Sequence, residues 1–194
     1  MRKLIYIPIV HTPEDMGSVR ESLERVSAAK LGKQRWIENV QRVERFWNEV
    51  EHELDALCLD YSRVRIYQDG LPCSGELGMK IVNSVADAGS KNFQLLRKLI
   101  SRGATPEATE DSDLLKREHE HIKAIVEART GEERAEAEHR YNQVKDKLLE
   151  ARDAFISRRI GNTLKDGETG LLFIGADHDV RLRLPPDILV KSLP

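Results

Sequence analysis

The strongest indication of the fold is the apolar run Leu4-Ile5-Tyr6-Ile7-Pro8-Ile9-Val10. A continuous apolar run with three isoleucines predicts a β-strand that is covered on both faces, as in a parallel sheet. A second run of this kind, Gly170-Leu171-Leu172-Phe173-Ile174-Gly175, lies far along the chain. We therefore expect an α/β fold with a small, mainly parallel sheet flanked by helices.

Two further strands are predicted from weaker patterns. Residues 63–67 alternate polar and apolar side chains, and the strong turn signal Gln68-Asp69-Gly70-Leu71-Pro72 follows them. Residues 185–190 predict a final strand that is entered through a proline turn. The sheet is thus expected to use both ends of the chain, with helices between them.

Long amphipathic helices are predicted between these strands. Helical spacing extends from residue 17 to about residue 57, and residues 76–100 form a second helical stretch that Gly89-Ser90 could divide. The second half of the first stretch is a heptad seam of apolar residues at alternating spacings of four and three, formed by Trp36, Val40, Val43, Trp47, Val50, Leu54 and Leu57. A seam this regular usually packs on another long helix.

A helical hairpin is predicted over residues 113–164, with its two arms separated near Thr130-Gly131. The second arm again has apolar residues at spacings of three and four, namely Tyr141, Val144, Leu148, Ala151 and Phe155. We interpret residues 1–194 as a single α/β domain in which this hairpin is an insertion and the long helices form a coiled-coil-like arm. The seams could pair with each other, or with a second copy of the chain in a homodimer.

Composition limits the classes of partner. Apolar residues make up 40% of the chain, which is enough for a core, and 31 Lys and Arg face 33 Asp and Glu. The net charge of -2 provides no positive field for a phosphate backbone, so we expect no nucleic acid. No apolar stretch approaches the ~20 residues that cross a bilayer, so we expect no membrane and a cytoplasmic location. Cys58 and Cys73 are not closely spaced and are predicted to be ordinary thiols.

Polar residues follow three of the predicted strands. His11 closes the first strand, Asp69 follows the second, and the segment Ala176-Asp177-His178-Asp179 follows the strand that ends at Gly175. The carboxyl ends of strands in open α/β sheets gather ligands, so these groups could meet if the strands are neighbours. A histidine can act as a base or a metal ligand, and a carboxylate can orient it or complete a metal shell.

A purely structural role is also compatible with these residues. The His11 imidazole could simply bond to the backbone, and Asp177 or Asp179 could cap a helix. His178 is the stronger candidate, because it lies between two aspartates in a loop after an apolar strand. The chain has no G-x-S-x-G elbow, no phosphate-binding glycine loop and no dinucleotide fingerprint, so those enzyme classes are not expected.

The last third of the chain resembles the TraB/TIKI proteins and their erythromycin-esterase-like and ChaN-like relatives. That family has a helix with an Arg followed by Asp or Asn, and then a late Gly-x-x-His motif. Here Ala151-Arg152-Asp153-Ala154-Phe155-Ile156, then Arg158-Arg159-Ile160, then Gly175-Ala176-Asp177-His178 occur in that order. The family's early motif is similar to Ile7-Pro8-Ile9-Val10-His11, except that Pro8 replaces the glycine.

The resemblance also implies an acidic motif after the second strand. Asp69 matches this motif, whereas the preceding glutamate is missing and either Glu76 or Glu110 would have to substitute for it. The resemblance implies a hydrolase-like site formed by His11, Asp69, Arg152 and His178. Members of the group include metal-dependent proteases, a metal-independent esterase and a haem binder, so one function does not transfer to all of them.

Two hypotheses of function follow from these observations. In the first, the protein is a hydrolase in which His178, with His11, activates water or holds a divalent metal. Arg152 would then stabilise a developing oxyanion, and Asp69 would orient a histidine or ligate the metal. Its substrate would be a small molecule or a peptide, bound with the help of three acidic residues, Glu76, Glu110 and Asp177. In the second hypothesis, the protein is a non-catalytic ligand-binding protein, or an interaction protein that dimerises through its heptad seams.

Overall fold

The computed structural model describes residues 1–10 and 33–193, and between residues 33 and 40 it describes only the side chains of Arg35 and Glu38. His11 and the predicted helix over residues 17–32 therefore lie outside the described residues, as do the side chains of Trp36 and Val40. No helix in the described part of the chain has the length and apolar character needed to cross a membrane.

The described residues form five strands and six α-helices. The strands are β1 (Arg2–Ile9), β2 (Val64–Gln68), β3 (Thr105–Glu107), β4 (Thr169–Gly175) and β5 (Ile188–Ser192). The helices are α1 (Lys33–Ala56), α2 (Gly75–Asp87), α3 (Lys91–Ser101), α4 (Ser112–Glu127), α5 (Gly131–Asn142) and α6 (Lys145–Thr163). The predicted α/β class is thus confirmed.

All neighbouring strands of the sheet are parallel, in the order β3-β2-β4-β1-β5. The two apolar runs that predicted the fold pair directly with each other, since Ile9 of β1 is in register with Gly175 of β4. On its other side, β4 pairs with β2, where Phe173 is in register with Gln68. The carboxyl ends of β2, β4 and β1 consequently lie side by side at one edge of the sheet.

Helices cover both faces of the sheet. Alternate residues of each strand point to opposite faces, and because these strands are apolar throughout, both faces must be buried. On one face Ile7, Ile66 and Phe173 share a core with residues of α1, α2 and α3. On the other face Tyr67, Leu172 and Ile174 share a core with Ile156, Ile160 and Leu164, which come from α6 and the residue after it. Helix α6, which carries Arg152, therefore lies directly on the sheet.

The heptad seam of α1 packs differently from its prediction. Val43, Trp47, Val50 and Leu54 belong to the core on the first face of the sheet, together with residues of α3. A heptad pattern specifies an apolar stripe but not the partner that covers it, and here the sheet and shorter helices cover it. Helices α4 and α5 pack against each other as a hairpin, joined by the segment 128–130.

One boundary agrees with the sequence pattern, and two other features differ from it. Residues 76–100 divide at Gly89, which has a φ of 108°, and the Ser90 side chain caps α3 by accepting the backbone N–H of Phe93. The second arm of the predicted hairpin is interrupted between Asn142 and Lys145. Strand β3 was not predicted, because three residues that include a proline give no readable period.

The seam of α1 provides a test of this packing. Leu54 is 1% exposed and Leu57, just beyond the helix, is 43% exposed, although both belong to the same heptad pattern. We expect Leu54→Ala to lower the free energy of unfolding by about 2–5 kcal/mol, because it leaves a cavity in the core. Leu57→Ala, the matched control, should change it by less than about 0.5 kcal/mol. Urea unfolding would measure both values, and a Leu54→Ala variant of wild-type stability would contradict the packing.

Candidate functional site at the carboxyl edge of the sheet

The topology predicts a ligand site between the ends of β2 and β4. Strand β2 connects outward to β3 on one side, whereas β4 connects to β5 on the opposite side of the sheet. Loops that leave two neighbouring parallel strands in opposite directions open a crevice between them, and ligands of open α/β sheets bind in such crevices. The polar residues described below surround this position.

Asp69 directly follows β2, and hydrogen bonds to the backbone of β4 hold both its main chain and its side chain. Its backbone N–H donates to the carbonyl of Phe173 at 2.9 Å, which extends the pairing with β4 by one residue. Its Oδ2 accepts the backbone N–H of Gly175 at 3.1 Å, and its Oδ1 accepts from Nη2 of Arg152 at 2.7 Å. The carboxylate is therefore buried, with its two oxygens in different environments.

Glu110 is brought to Asp69 by the loop after β3. The backbone N–H groups of Thr109 and Glu110 donate to the carbonyl of Leu71 at 2.9 and 3.1 Å, which joins this loop to the loop after β2. The Thr109 hydroxyl also accepts the backbone N–H of Gln68 at 3.0 Å. The Glu110 side chain is fully buried, and this burial raises the pKa of its carboxyl above the ordinary value, against the opposing effect of Arg152.

Arg152 connects the acidic residues of this region. It lies on the stripe of α6 that faces the core, in the same i, i+4 row as Leu148 and Ile156. Its guanidinium donates to Asp69, to Glu110 through Nη2 at 2.5 Å and Nε at 3.3 Å, and to Glu118 of α4. Burial lowers the pKa of Arg152, but the hydrogen bond and charge of Glu110, together with the charges of Asp69 and Glu118, outweigh it, and the pKa is raised overall.

Glu118 extends this network to the hairpin. It accepts a hydrogen bond from Arg152 and another, at 2.8 Å, from the hydroxyl of Tyr141 on α5. Burial and the hydrogen bond to Glu118 raise the pKa of Tyr141 to about 12. The Tyr141 ring also stacks on His121, with 5.7 Å between the ring centroids. Glu118 thus links the hairpin to the acidic residues at the sheet edge.

His178 lies in the loop after β4, with its side chain 5% exposed. Its Nδ1 is 2.5 Å from Oδ1 of Asp153 on α6, and Asp153 Oδ2 accepts the backbone N–H of Asp179 at 3.0 Å. The other ring nitrogen, Nε2, is 3.6 Å from Oδ2 of Asp69. The imidazole therefore lies between two carboxylates, in hydrogen-bond contact with one of them.

Three of these residues have side-chain atoms that could bind a metal ion and that lie close together. One ligand atom each from Asp69, Glu110 and His178 lies within 4.8 Å of the other two. Two carboxylate oxygens and an imidazole nitrogen form a donor set that suits Mn²⁺, Zn²⁺ or a similar divalent cation. Among the described side chains of the cluster, four carboxylates face one guanidinium and one imidazole, so a cation would balance charge there.

The residues predicted from sequence have different positions in the structure. Asp69, Arg152 and His178 meet at this edge, and so does Glu110. Glu76 instead lies exposed in the first turn of α2, and Asp177 is exposed beside His178. His11 lies outside the described residues.

Glu118 and Asp153 are site residues that were not predicted from the sequence. A signal existed for Asp153, because it and Arg152 fall on the buried stripe of α6 among apolar residues. Polar side chains on a core-facing stripe need partners and often mark a site. Glu118 lies in the charged run Arg117-Glu118-His119-Glu120-His121, where no pattern distinguishes it from its neighbours.

The ion-pair network predicts a strong dependence of stability on Arg152. Replacement by methionine would leave buried carboxylates without their counter-ion, so Arg152→Met should lower the free energy of unfolding by about 3–5 kcal/mol. Arg158→Met is the matched control, since Arg158 is exposed on the same helix, and it should cost less than about 1 kcal/mol. Equal losses in chemical denaturation of the two variants would be inconsistent with the network.

Comparison of the chain with protein-family models, with curated protein sequences and with solved structures gave no match. The resemblance to the TraB/TIKI group stays a prediction from the motifs. We therefore base the function proposed below on the geometry of the chain itself.

Proposed function

We propose that this protein is a hydrolase whose reaction centre is a divalent-cation site formed by Asp69, Glu110 and His178. The observation that carries the proposal is the convergence of three ligand atoms, from three separate loops, to within 4.8 Å of one another. The site lies where the topology of the sheet favours a ligand. The proposed substrate is a small molecule or a peptide.

The donor atoms suit a metal-assisted hydrolysis. A divalent cation supplies Lewis acidity, which polarises the bond that is cleaved and makes water a stronger nucleophile. Carboxylates and imidazole are the ligands with which proteins hold such cations. The described cluster has more carboxylates than cationic side chains, so a bound cation would reduce the repulsion among them.

Arg152 has two roles in this proposal. It holds Asp69, Glu110 and Glu118 in fixed positions, which keeps the ligand atoms close together before a cation binds. The contacts described above use four of its five N–H groups. The remaining N–H, on Nη1, is the group that could donate to an oxyanion as negative charge develops on the substrate.

The proposal agrees with what the resemblance to the TraB/TIKI group implies for Asp69, Arg152 and His178. It adds Glu110 as the second carboxylate, which was one of two possibilities from sequence. We further propose that the protein works in the cytoplasm, where free thiols such as Cys58 and Cys73 persist.

The alternative, a non-catalytic protein that dimerises through its heptad seams, has less support. Its motivation was the pair of heptad seams. The buried residues of the α1 seam, including Trp47 and Val50, pack in the core of one chain. A ligand-binding protein that uses the same three residues without catalysis is the stronger form of this alternative, and the experiment below separates it from a hydrolase.

Titration calorimetry with Mn²⁺ tests the cation site. We expect wild-type protein to bind one Mn²⁺ per chain, and Glu110→Gln to weaken binding at least tenfold, because an amide oxygen carries no negative charge. Glu76→Gln is the matched control, since Glu76 is an exposed glutamate in the first turn of α2. It should bind Mn²⁺ as the wild type does. Equal binding by the two variants, or none by the wild type, would refute the site.

A hydrolysis assay then separates catalysis from binding. Ester, peptide and phosphoester substrates would be tested on wild-type protein with Mn²⁺, with a chelator, and with Mn²⁺ added back. The proposal predicts turnover that the chelator removes and Mn²⁺ restores, and that Glu110→Gln lacks. A protein that binds Mn²⁺ at this site but turns over none of these substrates would favour the ligand-binding alternative.

A further inference from the structure

Asp153 is a buried carboxylate that has no role in the cation site proposed above. It lies on the core-facing stripe of α6, next to Arg152, and is 6% exposed. Both of its carboxylate oxygens are engaged, Oδ1 with the His178 ring nitrogen Nδ1 and Oδ2 with the backbone N–H of Asp179. Its contact with the proposed ligand residues is through the ring of His178.

The loop that carries His178 is held in place by contacts other than Asp153. The backbone N–H of His178 donates to the carbonyl of Gly175 at 3.2 Å, and the Tyr6 hydroxyl donates to the carbonyl of His178 at 3.4 Å. The single hydrogen of the Ser157 hydroxyl faces two carbonyls, that of Asp153 at 2.8 Å and that of Val180 at 3.2 Å, and the Val180 side chain is fully buried. These contacts fix the backbone but leave the orientation and tautomer of the imidazole to its ring partners.

The short Nδ1 contact determines the tautomer of a neutral His178 ring. Nδ1 is 2.5 Å from Oδ1 of Asp153, so a lone pair on Nδ1 would face a carboxylate oxygen at hydrogen-bond distance and be repelled. A hydrogen on Nδ1 instead donates to that oxygen. Nε2, which is 3.6 Å from Asp69 Oδ2, then carries the lone pair that a cation requires.

We propose that Asp153 is a positioning residue, which holds the His178 imidazole with its hydrogen on Nδ1 and directs the Nε2 lone pair toward Asp69 and Glu110. The part of this inference that concerns a cation rests on the proposed function. The part that concerns the tautomer does not, because it follows from contacts within the chain.

The geometry also explains why the residue is an aspartate and not an asparagine. Both partners of Asp153 are donors, a ring N–H and a backbone N–H. A carboxylate offers an acceptor oxygen to each of them, whereas an amide has one oxygen and an NH₂ group. Asparagine would therefore present a donor to a donor at one of the two contacts.

Nitrogen-15 NMR of the imidazole ring in metal-free wild-type protein tests the tautomer. The spectrum would be recorded above the ordinary titration range of histidine, with His178 assigned by its absence from a His178→Gln variant. We expect the hydrogen of His178 on Nδ1. A ring with its hydrogen on Nε2 would overturn the proposal, whether or not the protein binds a cation.

The Asp153→Asn variant tests the effect on the site. It should lose the single Nδ1–H tautomer and bind Mn²⁺ about 10- to 100-fold more weakly, as is typical when the partner of a ligating histidine is removed. Asp179→Asn, which changes an exposed neighbour whose backbone makes the same contact, should change neither property. Unchanged Mn²⁺ affinity and an unchanged tautomer in folded Asp153→Asn would overturn the proposal.

The two proposals fail in different ways. If wild-type protein binds no Mn²⁺ but His178 carries its hydrogen on Nδ1, the cation site is wrong and the positioning of the ring by Asp153 stands. If Mn²⁺ binds and the ring has its hydrogen on Nε2 in the metal-free protein, the cation site stands and this inference is wrong. A variant that does not fold leaves the wild-type spectrum as the deciding measurement.

Discussion

A single buried guanidinium, that of Arg152, holds together the acidic groups at the carboxyl edge of the sheet. Its partners are Asp69 after β2, Glu110 after β3 and Glu118 on α4. Carboxylates this close repel one another and lose hydration on burial, so positive charge among them, or a proton on one of them, lowers the cost of sharing the site. Arg152 supplies positive charge in the structure, and a divalent cation would supply it in the proposed function. The need for positive charge thus connects the stability of this edge with its chemistry.

Local patterns predicted four of the five described strands and two of the strand ends at the site, those that carry Asp69 and His178. The runs that form β1 and β4 are apolar throughout because helices cover both faces of the sheet. Burial on both faces can therefore be recognised in the sequence as a continuous apolar run. Asp69 and His178 could be chosen because polar residues that directly follow such strands stand out. Arg152 was predicted as a site residue only from the motif resemblance. Its contacts in the structure explain its place there, because a charged group on the buried stripe of a helix needs partners.

The pairings in the rest of the site could not be predicted, because they depend on contacts between distant parts of the chain. Glu118 meets Arg152 across 34 residues. Asp153 meets His178 across 25 residues, so its place on the buried stripe of α6 marks it as polar and buried but does not identify its partner. The choice of Glu110 over Glu76 depends on the three-residue strand β3, which is too short to show a pattern. The same limit applied to the α1 seam, where an apolar stripe was evident but its partner was not.

The most direct test of the central claim is anomalous X-ray diffraction from crystals grown with Mn²⁺, which locates the ion without reference to activity. The account predicts a peak about 2.0–2.4 Å from a carboxylate oxygen of Asp69, a carboxylate oxygen of Glu110 and Nε2 of His178. Manganese found only at exposed carboxylates, with none bound by Asp69, Glu110 and His178, would contradict it. The cluster would then be an ion-pair network that stabilises the sheet edge, and the protein would need a different functional site.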